Sequence, residues 1–106
     1  MYLTATIASG GTVSSAIDLG ATASIRGLVM PSAFTGTAIT FQVSHDGVTY
    51  QALYDDAGSA VSVSVAASRN VSFKADDFHC LCGWRFIRLV SGSAEAAERS
   101  VGVWAR

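Results

Sequence analysis

Along residues 37–54, Ile39, Phe41 and Val43 alternate with Thr40, Gln42 and Ser44. A period of two places the first set on one face of a β-strand and the second set on the other. His45-Asp46-Gly47 then interrupts the alternation. Asp-Gly is a hairpin signal, because both residues tolerate the positive φ of a tight turn. Residues 49–54 read as the return strand. This hairpin is expected at the centre of an all-β domain.

The same period recurs along the chain. Residues 3–8 predict a first strand with Leu3, Ala5 and Ile7 on one face, followed by a Ser9-Gly10-Gly11-Thr12 turn. Residues 13–19 predict a second strand. Residues 24–30 are apolar on both faces and predict a central third strand. Residues 31–36 form a loop across the end of the sandwich, and Asp55-Asp56-Ala57-Gly58 is a turn. Val61, Val63 and Val65 alternate with Ser62 and Ser64, a half-buried strand. A short strand holds Val71 and Phe73, and Asp76-Asp77-Phe78 reads as a bend or a single helical turn. The run Trp84-Arg85-Phe86-Ile87-Arg88-Leu89-Val90 is a buried strand. Residues 94–98 favour helix by propensity but are too few to stand alone. Residues 100–104 close the domain. Eight or nine short strands at this spacing indicate a sandwich or jelly roll, with Phe41, Val63, Ile87 and Val103 in its core.

Composition narrows the functions open to such a domain. The 106 residues make one domain spanning 1–106. Half are hydrophobic and only 14% are charged, so Ser, Thr, Ala and Gly must cover much of the surface. Such a surface tends to be covered by partners, and a homo-oligomer, a trimer or a higher ring, is expected. A net charge of -1 provides no basic field for nucleic acid or anionic lipid. No apolar run approaches the length of a membrane span, and the start lacks the pattern of a signal peptide. Synthesis in a cytoplasm is therefore the expectation.

Candidate chemistry is sparse. His45 lies in a turn, and His79 precedes Cys80; sequence neighbours in an extended chain point apart and cannot act as base and nucleophile. Asp46, Asp55 and Asp56 would cap their own turns rather than bind calcium. Gly10-Gly11 lacks the lysine and helix of a phosphate loop. No catalytic, cofactor-binding or metal-binding residue is assigned. Arg85 and Arg88 are expected to bridge to carboxylates such as Glu95 or Glu98. Cys80 and Cys82 cannot join each other without strain. They are expected as two reduced, half-buried thiols, the alternative being a disulfide to another subunit. Tyr2, Tyr50, Tyr54, Trp84 and Trp104 are candidates for a sugar platform, weighed against the core or interface packing more usual for aromatics in sandwiches, with Tyr50, Tyr54 and Trp104 singled out as an interface or a sugar platform.

Four pieces of sequence carry a resemblance. They are Thr4-Ala5-Thr6-Ile7-Ala8-Ser9-Gly10-Gly11, Ser15-Ala16-Ile17-Asp18-Leu19-Gly20, Thr40-Phe41-Gln42-Val43-Ser44-His45-Asp46-Gly47-Val48-Thr49-Tyr50 and Trp84-Arg85-Phe86-Ile87-Arg88-Leu89-Val90-Ser91-Gly92. In this order the chain resembles the small jelly-roll proteins encoded by tailed bacteriophages and prophages. The resemblance implies an antiparallel β-sandwich with jelly-roll topology and about eight strands. It also implies a non-enzymatic structural component of the virion, assembled in the bacterial cytoplasm: a capsid decoration or cement, neck or fibre protein. Its partners would be copies of itself and other virion proteins. Cys80-Leu81-Cys82 lies outside that pattern. The strands around Phe41 and Trp84 are also similar to discoidin-like galactose-binding modules, which implies a carbohydrate-binding role in host-surface attachment as the alternative.

Overall fold

The alternating stretch forms β4 (Ala38–Ser44), a central strand in one of two antiparallel sheets. The computed structural model describes residues 1–21 and 23–106, with Asp77 described through its backbone alone. The other elements are β1 (Tyr2–Ile7), β2 (Ile17–Asp18), β3 (Ile25–Val29), β5 (Gln51–Ala52), β6 (Ser62–Ser64), β7 (Asn70–Ser72), α1 (Ala75–Leu81), β8 (Phe86–Ser91) and β9 (Arg99–Ala105). Sheet A has the order β1-β9-β3-β7, and sheet B the order β2-β8-β4-β5, with β6 sharing the β5 edge of β4. The pairs β1–β9, β2–β8, β3–β7 and β4–β6 are nested. One long hairpin is thus wound on itself, which lays β9 beside β3 and β8 beside β4. That is the jelly-roll topology expected from the sequence.

The two inner faces fill the space between the sheets. Phe41, Ile87, Leu89, Val101 and Val103 are fully buried, as are Ile7, Ile25 and Ile39. Val63 is buried as well. Phe73 meets the edge of Phe41 at 5.9 Å between ring centroids, an edge-to-face contact.

Three local expectations are corrected. The Asp46-Gly47 turn is not a two-residue hairpin: β4 and β5 pair only through Gln42↔Ala52 and Val43↔Gln51, and a loop lies between. Only Gly47 takes positive φ there (78°). The buried Ser44 hydroxyl accepts from the Asp46 and Gly47 amides, and Asp46 Oδ1 accepts from the Val48 and Thr49 amides. Those bonds, with the Ser44 hydroxyl donating to Asp46, hold the Asp46 carboxyl well below the usual range. The second strand shrinks to two residues, because Ser14 bridges both Ile7 on β1 and the Leu89 region of β8 as the chain passes between sheets. Of the two readings of Asp76-Asp77-Phe78, the helical one holds and extends over residues 75–81, seated by the fully buried Leu81. Arg85 does bridge to a carboxylate, but to Asp18 in a bidentate contact of 2.7 and 3.0 Å rather than to Glu95 or Glu98, and the cation of Arg88 lies over Tyr50 instead.

Glu95 instead ends up fully buried in the connection between β8 and β9. Its carboxylate accepts from the Thr35 amide (3.1 Å), the Thr35 hydroxyl (2.8 Å), the Gly36 amide (3.2 Å) and Arg99 Nε (3.0 Å). Its own carbonyl accepts from the Gly10 amide and its own amide donates to the Gly11 carbonyl. These long-range bonds explain why residues 94–98 are not helical. Burial pushes the Glu95 carboxyl up, but the Thr35 donors and Arg99 together hold it below its ordinary value.

Two outcomes follow. Phe41→Ala should cost about 3–5 kcal/mol in urea unfolding; an unchanged midpoint would contradict the strand register. A carboxyl depressed by folding stabilises the fold above its unfolded pKa and loses that contribution as pH falls. The melting temperature should therefore decline as pH drops below ~4.3. Glu95→Gln should cost about 2 kcal/mol at pH 7 and flatten that acid decline; a decline of wild-type steepness would contradict the role given to Glu95.

Candidate functional site

The outer face of sheet A carries a trough, and the strand registers explain its shape. Direct cross-strand partners project from the same face. One row reads Tyr2, Trp104, Gly27 and Ser72, and the next reads Thr4, Gly102, Val29 and Asn70. Gly27 leaves the floor without a side chain, and Gly102 gives room to the Tyr2 ring that lies across it. The trough encloses about 630 Å³, and Tyr2, Trp104, Asn70, Ser72, Arg26 and Arg106 stand around it.

Each glycine is required for a different reason. A Cβ on Gly27 would stand 2.5 Å from the Val71 carbonyl oxygen, a backbone atom held in the β3–β7 ladder. A Cβ on Gly102 would overlap the Tyr2 hydroxyl, since the Tyr2 ring lies across that glycine. Close approach of this kind is the usual reason for glycine inside a strand. Tyr2 remains 55% exposed and Trp104 46% exposed, so both rings are available to a ligand.

Arg26 is placed by a bulge. The register between β3 and β9 passes from Ile25↔Ala105 to Gly27↔Trp104, leaving Arg26 as the extra residue. The Phe73 amide donates to its carbonyl at 2.9 Å. Its guanidinium stacks over the Phe78 ring of α1, 4.3 Å from the centroid. Arg106 is held beside it by paired backbone bonds to Ser24.

The three aromatic residues singled out from the sequence do not form one platform. Trp104 belongs to the trough on sheet A. Tyr50, just before β5, lies beneath the Arg88 cation of β8, 4.0 Å from ring centroid to guanidinium carbon. Tyr54 is 58% exposed and lines a smaller hollow of about 310 Å³ with His45 and Trp84. Tyr2, weighed as a platform residue, is the partner Trp104 has. Gly27, Gly102, Asn70, Ser72, Arg26 and Arg106 went unseen in the sequence. A glycine inside each of two strand patterns was the available signal.

Cys80 and Cys82 lie on and just after α1, not on a strand. Both are free thiols; Cys80 is half-buried and Cys82 is exposed, 3.5 Å from the Ser24 hydroxyl. Positions two apart on a helix do not face each other, so they still cannot pair within the chain. A bond to another molecule would run through Cys82. Asp46 and Asp55 cap their own loops, Asp55 Oδ1 accepting from the Ala57 and Ser59 amides. Arg85 holds the Asp18 carboxyl below its usual value through its side-chain hydrogen bond.

Aromatic faces beside amide and hydroxyl groups suit a ligand with C–H-rich faces and hydroxyl edges. No family model and no curated protein matches the chain. Among solved structures, it is similar to a Yersinia pseudotuberculosis-derived mitogen at 12% identity and a TM-score of 0.44, covering 99% of this chain and 82% of that one. It is also similar to CBM32-1 from a family 31 glycoside hydrolase of Clostridium perfringens, at 13% identity and a TM-score of 0.43, covering 87% and 74%. Neither likeness bears on a ligand of this chain.

The two glycines should behave differently when substituted. Gly102→Ala should fold with a melting temperature close to wild type, since the Tyr2 side chain can swing aside. Gly27→Ala should lose about 1–3 kcal/mol, because a ladder carbonyl must move. Thermal melts of both variants check this, and equal losses would contradict the assignment of the two contacts.

Proposed function

We propose that this chain is a non-enzymatic recognition domain that binds carbohydrate in the trough of sheet A, carried on the surface of a tailed-bacteriophage particle. The observation that carries the ligand class is the trough itself. Two exposed aromatic rings flank a glycine floor, with Asn70 and Ser72 opposite them. Ring faces pack against the C–H faces of a sugar, while the amide and hydroxyl exchange hydrogen bonds with its hydroxyl groups. The virion setting rests on the sequence resemblance.

A second reading shares the same surface. Along β1 and β9 the outer face beyond Tyr2 consists of Thr4, Thr6, Ser100 and Gly102, small and uncharged. A neighbouring copy, or the protein shell of a particle, could cover that face and bury Tyr2 and Trp104. The chain would then be a capsid decoration or neck component whose work is self-association.

Titration with a panel of oligosaccharides, read by tryptophan fluorescence, separates the two. The first reading expects saturable binding by at least one glycan, weakened about tenfold or more in Trp104→Ala, with the melting temperature little changed. Sedimentation as a closed ring that protects Trp104 from quenching, together with no glycan response, would favour the second.

A further inference from the structure

We propose that the trough selects sugars that carry a carboxylate. The inference rests on the carbohydrate-binding reading and names the ligand class within it. Arg26 and Arg106 line the trough, and among the described residues no Asp or Glu does. The whole chain has 7 Lys and Arg against 8 Asp and Glu, so this local excess of positive charge runs against the overall balance. Among the described residues the ion pairs are Asp18–Arg85 and Glu95–Arg99. Neither trough arginine belongs to them.

The geometry of Arg26 supports a specific partner. The guanidinium carbon of Arg26 lies 4.3 Å from the centre of the Phe78 ring, which holds the cation at the α1 side of the trough. The N–H edge of a guanidinium is a rigid fork that matches a planar carboxylate with two parallel hydrogen bonds. The bulge places Arg26 next to Gly27 in β3, and both residues line the trough. A sugar ring packed on Trp104 would then lie within the same trough as the fork. Aromatic faces would hold the ring while the arginines read its acid.

Isothermal titration of the full chain at low salt tests this with matched probes: trigalacturonic acid against its trimethyl ester, and 3′-sialyllactose against lactose. At least one acid should bind about tenfold more tightly than its neutral partner, the scale of one hydrogen bond to a charged group. Added sodium chloride should narrow the gap. Arg26→Gln should reduce the gap to within about threefold, whereas Arg88→Gln, which removes a cation from the opposite sheet, should leave it unchanged. Equal binding of acid and neutral partner would overturn the selection for acids while leaving carbohydrate binding intact. A gap that survives both Arg26→Gln and Arg106→Gln would overturn the site. Absence of binding by either acid would overturn the proposal, and the neutral members of the oligosaccharide panel then show whether the broader reading falls with it.

Discussion

Three of the chain passages between the two sheets meet at one buried residue, Glu95. The turn after β1, the loop between β3 and β4 and the connection between β8 and β9 are all tied to Glu95. A charge removed from water needs nearly all of its acceptor capacity filled. Glu95 meets that condition with four donors, only one of them charged. A wound hairpin gains nothing from its nested ladders unless its crossovers stay in place. Glu95 holds three of them at one end of the sandwich, and the inner faces can then close on Phe41, Leu89 and Val103.

The trough lies toward the other end of sheet A, and it is a consequence of the same winding. Winding places β9 between β1 and β3, so a glycine of β9 and a glycine of β3 fall in adjacent rows of one outer face. Neither glycine alone would make a depression. Tyr2 lies across Gly102 because that position offers it room, and the close Val71 carbonyl keeps Gly27 without a side chain. A rigid sheet therefore presents rings, amide and guanidinium groups without relying on a mobile loop. Ligand binding there would cost little ordering entropy.

Much of the fold was legible from the period of two. The positions of Phe41, Val63, Ile87 and Val103 follow from alternation alone, and all four are buried. The central place of β3 followed from its apolar character on both faces. Short-range signals were less secure where long-range bonds compete. Asp46-Gly47 predicts a tight turn, but Ser44 and Asp46 offer the backbone a broader loop of side-chain bonds. The helix at residues 75–81 is set by where Leu81 can be buried, which depends on the tertiary structure. The trough was the least legible feature. It depends on register across three strands far apart in sequence, and alternation does not specify which rows face one another.

The central claim is that the outer face of sheet A is the working surface. Amide chemical-shift mapping during titration with trigalacturonic acid tests it most directly. The account predicts shifts that saturate together at residues 2–4, 26–29, 70–73 and 102–106, with β4, β5 and the loop at residues 45–50 undisturbed. Saturating shifts centred instead on His45, Tyr54 and Trp84, the hollow on the other side of the molecule, would contradict it.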